Sequence, residues 1–482
     1  MRKRVLIAIL ALAVLLVAAY TAARAYTGHR VGQEVDNLHT QLQNHPDVDV
    51  HALTYESGLL GGELTYDLDL RLPTGHPLLD LARIATDRPE LTEWRFNGTA
   101  NVNHGPFWQD NQLVLATAEQ RWGLPEQWQS APPDYNGDGL VTARAHIRPD
   151  GTVSGHLSGA DYSGDWITPD GQPLAMEIRG LNGTFHFSGD LSGLDIESQL
   201  ETFQIGDQGF WGTLDEVTLT LSVNSENSAN WQSGMAFNAG LVELASDESG
   251  TRIQNVNSEI NLQQNGDRID NQMTFSMGES LIEQVDLRGM HLSLSLDDLQ
   301  ADAYRGIIEH GAELSAARGF DQEAQQAFMA SVQALLDAGP SLRVERLSAS
   351  LVNEDDLSGA MHMHYPEQAP VTLNQPWDML EHLEVRLNLI AELNAIDRVS
   401  RLLAEQEARE LMRTRGLERT DEQIQRSAQR RYQSTLMALQ FLPLVEVGGG
   451  KAESHLELRE GSVFRDGEPV MSLGQLLNMV GL

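Results

Sequence analysis

Between residues 64 and 72 every second residue is apolar. Leu64, Tyr66, Leu68, Leu70 and Leu72 alternate with Thr65, Asp67, Asp69 and Arg71. A period of two sends alternate side chains to opposite faces of an extended strand, so one face is buried and the other wet. The pattern returns at 181–187, at Val217-Leu219-Leu221-Val223, at 260–262, at Met273-Phe275-Met277 and at Met290-Leu292-Leu294-Leu296. The segments between carry Asn182-Gly183, Gly189-Asp190, Ser192-Gly193 and Asn265-Gly266-Asp267. These residues tolerate positive φ or cap their own backbone, so they predict turns. Many strands on short turns exclude an alternating βαβ fold. The expected class is α+β: a large twisted, mostly antiparallel β-sheet with helical segments packed on it, plus one N-terminal transmembrane helix.

Elsewhere the period is helical. Val31, Val35, Leu38 and Leu42 predict a short amphipathic helix that Pro46 ends. Residues 299–337 predict one or two helices stopped by Gly339-Pro340, and 392–439 predicts one long helix. Strands are expected at 342–352, 360–365 and 383–389. The tail predicts a hairpin, 455–458 with 462–465, turning at Glu460-Gly461, then a helix at 473–480. The Pro- and Gly-rich segment 125–172 predicts a long loop or hairpin excursion. The expected organisation is a cytoplasmic stub and anchor over 1–27, a β-rich domain over 28–298, a helical insertion over 299–340 and a strand, long-helix and hairpin region over 341–482.

The N-terminus bears on location. Arg2, Lys3 and Arg4 precede an uncharged run from Val5 to Ala23. Nineteen residues make about 28 Å of helix, close to the hydrocarbon thickness of a bilayer. The basic cluster predicts a cytoplasmic start and an outward body, anchored in the bacterial inner membrane with its C-terminal part in the periplasm. Ala23-Arg24-Ala25 also fits a small-x-small cleavage site, so a cut after Ala25 stays open.

The formal charge is −36 and cysteine is absent. The charge argues against nucleic-acid phosphates and against docking the body on anionic lipid. Lysine occurs only at Lys3 and Lys451, and the acidic, arginine-rich surface suits a high-salt setting. Without cysteine there are no disulfides, thiolate metal sites or cysteine nucleophiles.

No motif supplies chemistry. Gly448-Gly449-Gly450-Lys451 lacks the first glycine and the hydroxyl residue of a phosphate loop, where Val445 and Ala452 stand. Asp134, Asn136 and Asp138 resemble the start of a calcium turn, but Ala145 takes the place of the closing carboxylate. His362 and His364 share one face of a predicted strand, with no third metal ligand in view. Neither a nucleophile elbow nor a zinc-protease helix occurs. Paired carboxylates of a hydrolase would be invisible here. Asn103-His104-Gly105-Pro106-Phe107 predicts a tight structural corner with His104 at its edge and Phe107 returning to the core.

Several elements resemble the YdgA-like family of bacterial envelope proteins. They are the basic start, the Ala25-Tyr26-Thr27-Gly28 junction, Tyr55 with Gly58-Leu59, the His-Gly-Pro-Phe element, and the ending from Ser454 to Met471-Ser472-Leu473. The resemblance implies an inner-membrane anchor and a periplasmic body, and no reaction. A fold-level analogy reaches to AsmA-like proteins, which hang a long sheet from one N-terminal helix. The expected function is a non-enzymatic scaffold or interaction protein, using no cofactor and binding an envelope protein or itself. The alternative is a carrier for lipid or another apolar ligand, held on the apolar sheet face.

Overall fold

The computed structural model describes residues 27–43 apart from 34, 38 and 41, then 48–58, 61–71, 93–109, 112–122, 141–167, 173–189, 192–207, 209–227, 230–246, 250–282, 285–316, 322–351, 356–367, 381–415, 420–441 and 444–480. The apolar run from Val5 to Ala23, its basic flank, Pro46 and the calcium-turn residues Asp134, Asn136 and Asp138 lie outside them. Among the described residues no helix is long and apolar enough to cross a membrane. The chain is mostly antiparallel strand with a few helices, as the alternation predicts. It divides into two compact units. One holds the described residues up to Phe203 with Leu219–Asn227 and Ile308–Ala324; the other holds Gln204–Thr218, Ser228–Ile307 and Gln325 onward.

The first unit starts with a helix that covers residues 27–33, 35–37, 39–40 and 42–43. Of its predicted apolar stripe, Val31, Val35 and Leu42 stand on this helix, and Leu38 lies outside the described residues. Val31 is buried with Val102 and Ala116, and Val35, Tyr55, Leu64, Ala118 and Ile147 pack around them. The sheet beneath is a meander of β1 (Val48–Ser57), β2 (Gly61–Arg71), β3 (Glu93–Gln109), β4 (Gln112–Trp122), β5 (Val141–Ile147) and β6 (Val153–Gly159). A hairpin, β7 (Tyr162–Ile167) with β8 (Pro173–Arg179), follows. Then β9 (Asn182–Phe187) pairs with β6 on one side and with β10 (Gly193–Gly206) on the other. The next strand in the chain is β11 (Phe210–Asn227), whose Leu219–Asn227 part belongs to this unit.

Of the loop or hairpin excursion expected over 125–172, the described residues show the hairpin, because 141–167 supplies three sheet strands, β5 paired with β6 and then β7. Its glycine content reflects packing: a Cβ on Gly155 would sit 2.3 Å from the Phe185 ring, which lies over it. Asn182-Gly183 is not a turn but the start of β9. Gly183 lets β10 approach, since a Cβ there would meet the Glu197 carbonyl oxygen at 2.6 Å. The turn lies earlier, at Gly180 with φ +65°.

The second unit orders β12 (Asn230–Ser246), β13 (Gly250–Asn265), β14 (Arg268–Met277), β17 (Gly289–Gln300), β18 (Ser341–Ser350), β19 (Leu357–His364), β20 (Glu384–Glu392) and β22 (Lys451–Arg459) side by side, all antiparallel. Short β15 (Ser280–Ile282) and β16 (Val285–Leu287) hang from the end of β13. Beyond β22 come β21 (Glu446–Gly448) and β23 (Ser462–Arg465), the latter pairing with β24 (Glu468–Ser472). The tail hairpin turns as expected, with Glu460 and Gly461 both at positive φ. The intervening strand β24 goes unseen in the sequence, where Pro469 argues against it.

Helices α1 (Ala301–Ala316) and α2 (Gln322–Asp337) fill the predicted 299–337, and Gly339 at φ +73° closes the second. Leu299 and Ala301, at the entrance to α1, are buried with Ile269. The single helix expected over 392–439 is instead two, α3 (Leu393–Arg415) and α4 (Asp421–Phe441). The start of α4 explains the break. The Gln423 side-chain oxygen accepts from the Thr420 N–H at 3.1 Å, and the Thr420 carbonyl accepts from the Gln423 and Ile424 amides. That is half of a reciprocal cap, which an uninterrupted helix could not make. Arg431 of α4 pairs with Glu407 of α3, and α5 (Leu473–Val480) ends the unit.

Candidate functional site

The most enclosed polar group in the first unit is His104, fully buried on β3. The Gly105-Pro106 element does not turn the chain. It is a bulge within β3, whose register to β4 shifts between His104 and Phe107. Thus His104 is a core residue and not an edge residue, and Phe107 is half-buried opposite Val114. The glycine is required by closeness: a Cβ on Gly105 would meet the Val114 and Leu115 carbonyl oxygens at 2.5 and 2.4 Å.

Strand β1 and the leading helix converge on this imidazole. Tyr55 of β1 shares a hydrogen bond between its hydroxyl and His104 Nε2, the two rings 6.0 Å apart and tilted by 59°. From above comes Gly28, where an added Cβ would lie 2.3 Å from His104 Cε1 and 2.8 Å from Ser57 Oγ. Gly62 makes room for Tyr55 in the same way, at 2.6 Å from its hydroxyl. Burial pushes the Tyr55 phenol up to about 12. Such a phenol stays protonated at neutral pH and the imidazole is closed to solvent. The arrangement is a joint that fixes the leading helix to the sheet.

A second cluster lies on the wet face of the same unit. One cross-strand row reads His146, Ser154, His186, Asp195; the next reads Arg144, His156, Thr184, Glu197. A groove of about 520 Å³ runs along them, lined also by Arg148 and Ser222. Imidazoles stand on β5, β6 and β9, and carboxylates flank them on β10. No group of His, Asp or Glu among the described residues could hold a metal ion. The sequence reading missed these histidines, which stand far apart in the chain and meet only through strand order.

The predicted histidine pair on β19 is in place. His362 is exposed and its Nε2 lies 3.0 Å from Ser341 Oγ. Its strand neighbours are Arg343 and Arg386. Burial, then the Arg343 charge, hold its pKa below the usual imidazole range. Arginine neighbours oppose a cation there. The Gly449-Gly450 turn takes positive φ, and Lys451 opens β22, 3.8 Å from Glu392.

On the opposite face of the second unit the strand register assembles one apolar row across eight strands. Met235, Ile260, Met273, Leu294, Val344, Met361, Leu387 and Leu456 stand side by side. Every one of them is half-buried and none is sealed. Seven strand spacings of about 4.8 Å make the row roughly 34 Å long. The same face continues along β18, β19 and β20 through Leu351, Leu357 and Ala391 into a concavity of about 440 Å³. Ile396, Val399 and Leu403 of α3 wall it, and the latter two are 40% and 46% exposed. At its floor Asp356 is fully buried and accepts from the Leu351 N–H at 2.8 Å. The sequence shows each strand's apolar face but not their alignment, because register is set across the sheet.

Compared with known protein families, residues 1–471 match one described as a bacterial protein of unknown function (DUF945). No curated protein and no solved structure matches the chain.

Proposed function

The chain belongs to this bacterial family of unknown function, and on that premise we propose a membrane-anchored, non-enzymatic binding protein of the cell envelope. The run from Val5 to Ala23 with its basic flank supports an inner-membrane anchor with a periplasmic body. So does the resemblance of the His-Gly-Pro-Phe element and the tail to the YdgA-like proteins. The analogy to AsmA-like proteins points the same way, at the level of fold.

One observation carries the reading: the eight-strand apolar row, half-buried throughout and continuous with the concavity beside α3. A surface apolar over some 34 Å gains by being covered, at roughly 25 cal/mol per Å² removed from water. In a scaffold the cover is a partner protein. In a carrier it is lipid. The enclosure by Val399 and Leu403 favours the second reading, since a walled apolar recess suits a chain-like ligand.

A photo-crosslinking residue at Met361 in the full-length chain, activated in intact cells, separates them. A lipid adduct supports the carrier and a protein adduct the scaffold. Recovery of unmodified chain alone refutes an apolar partner on this face.

A further inference from the structure

Trp108 is 73% exposed and Leu113 is 41% exposed. They stand directly opposite each other at the end of the β3–β4 hairpin, so both side chains lie on one face. Two large apolar groups side by side at a strand tip are costly in water.

The leading helix gives the tip a direction. Gly28 sits against His104. A Cβ on Gly32, one turn later, would lie 3.7 Å from Tyr55 Cδ1, and Tyr55 is in register through Leu64 with Ala100. Passing from Gly32 back to Gly28 therefore moves along β3 from Ala100 to His104, toward Trp108. The helix and β3 run in opposite senses. The first turn of the helix, at Thr27 and Gly28, therefore faces the end of the unit where the hairpin tip projects.

Distances are short. Trp108 is four residues beyond His104, and Ala23 is four residues before Thr27; each interval spans at most about 14 Å. We propose that the Trp108–Leu113 tip is a second membrane contact, seated in the headgroup layer of the bilayer that holds the Val5–Ala23 run. This rests on the anchor reading above. The headgroup layer is about 5–8 Å deep on each side. Tryptophan favours that layer, with its ring against the acyl boundary and its N–H toward water. The charge of −36 keeps the acidic body off anionic lipid, and an uncharged apolar pair is the kind of contact this charge does not penalise. Two attachment points at one end of the unit restrict its rotation about the anchor.

The absence of cysteine makes the test clean. Leu113→Cys in the full-length chain gives a unique site for an environment-sensitive fluorophore, and exposed Ser158→Cys gives a control. Both are reconstituted in phosphatidylcholine vesicles. The expected result is a blue-shifted emission at 113, quenched by a lipid-borne quencher and not by iodide, with the reverse at 158. Equal aqueous emission at both sites overturns the proposal. So does a shielded 113 that the lipid-borne quencher does not reach, because a protein then covers the tip. A carbonate wash of the membranes reads the anchor separately. Release of the chain removes the anchor and this proposal together, whereas a retained chain with an aqueous 113 removes this proposal alone.

Discussion

The Tyr55 hydroxyl and the His104 imidazole are joined by a hydrogen bond beneath the first turn of the leading helix, with Gly28 pressed on the ring. Tyr55→Phe keeps the ring and removes that partner from His104 Nε2. A buried polar group deprived of a partner costs about 1–3 kcal/mol. Urea unfolding of the first unit is expected to report a stability lower by that amount, seen as a lower midpoint with an unchanged slope.

Gly28→Val tests the seat from the other side. A Cβ at 2.3 Å from His104 Cε1 forces the helix to move. Overpacking of this kind costs about 1–3 kcal/mol. Hydrogen exchange at residues 27–43 is expected to quicken, while β12–β14 keep their protection. If protection of the helix is unchanged, the contact is not what holds it.

The pH response of this joint has a definite sign. Burial raises the Tyr55 phenol from 10.0 to about 12, so the folded state holds its proton more tightly than the unfolded chain. The resulting stabilisation is complete below pH 10 and is lost as pH rises through about 12. Tyr162, Tyr304 and Tyr365 are pushed up by burial as well. The difference between wild type and Tyr55→Phe isolates one of them. That difference in urea midpoint should shrink over the same interval.

The apolar row predicts a loss of binding without loss of fold. Met361→Glu and Leu387→Glu place carboxylates in the middle of a half-buried surface. An apolar fluorescent dye should bind the wild-type chain and bind either variant several-fold more weakly, with far-UV circular dichroism unchanged. Equal dye binding would show that the row is not the exposed surface.

At α4, Gln423→Ala deletes the side-chain acceptor for the Thr420 N–H. Caps of this type contribute about 0.5–2 kcal/mol. Hydrogen exchange at 420–424 is expected to accelerate, with little change at the far end of the helix.

Local pattern revealed β2, β9, parts of β11, β13, β14 and β17 to β20, the leading helix, α1, α2, the tail hairpin and α5, because apolar period and turn chemistry are read within a few residues; β1, β3, β4, β10 and β12 lack so clean an alternation and went unread. The separate start of α4 at Asp421 was hidden, since the Arg- and Glu-rich stretch 392–439 continues a helical period across it. Within 141–167 the glycines looked like loop formers. They in fact admit neighbouring strands or a ring, as Gly155 admits Phe185. His104 stood out in sequence, but its burial depends on Gly28 and Tyr55, which are distant in the chain. The His146, His156 and His186 cluster and the eight-strand row depend on register, which one strand's composition does not encode.

The opposed senses of the leading helix and β3 have a mechanical consequence. A force applied at Thr27 along the helix axis acts along β3 and not across it. It loads the packing of Gly28 and Val31 on the sheet in shear, over the whole stripe at once, instead of peeling it contact by contact.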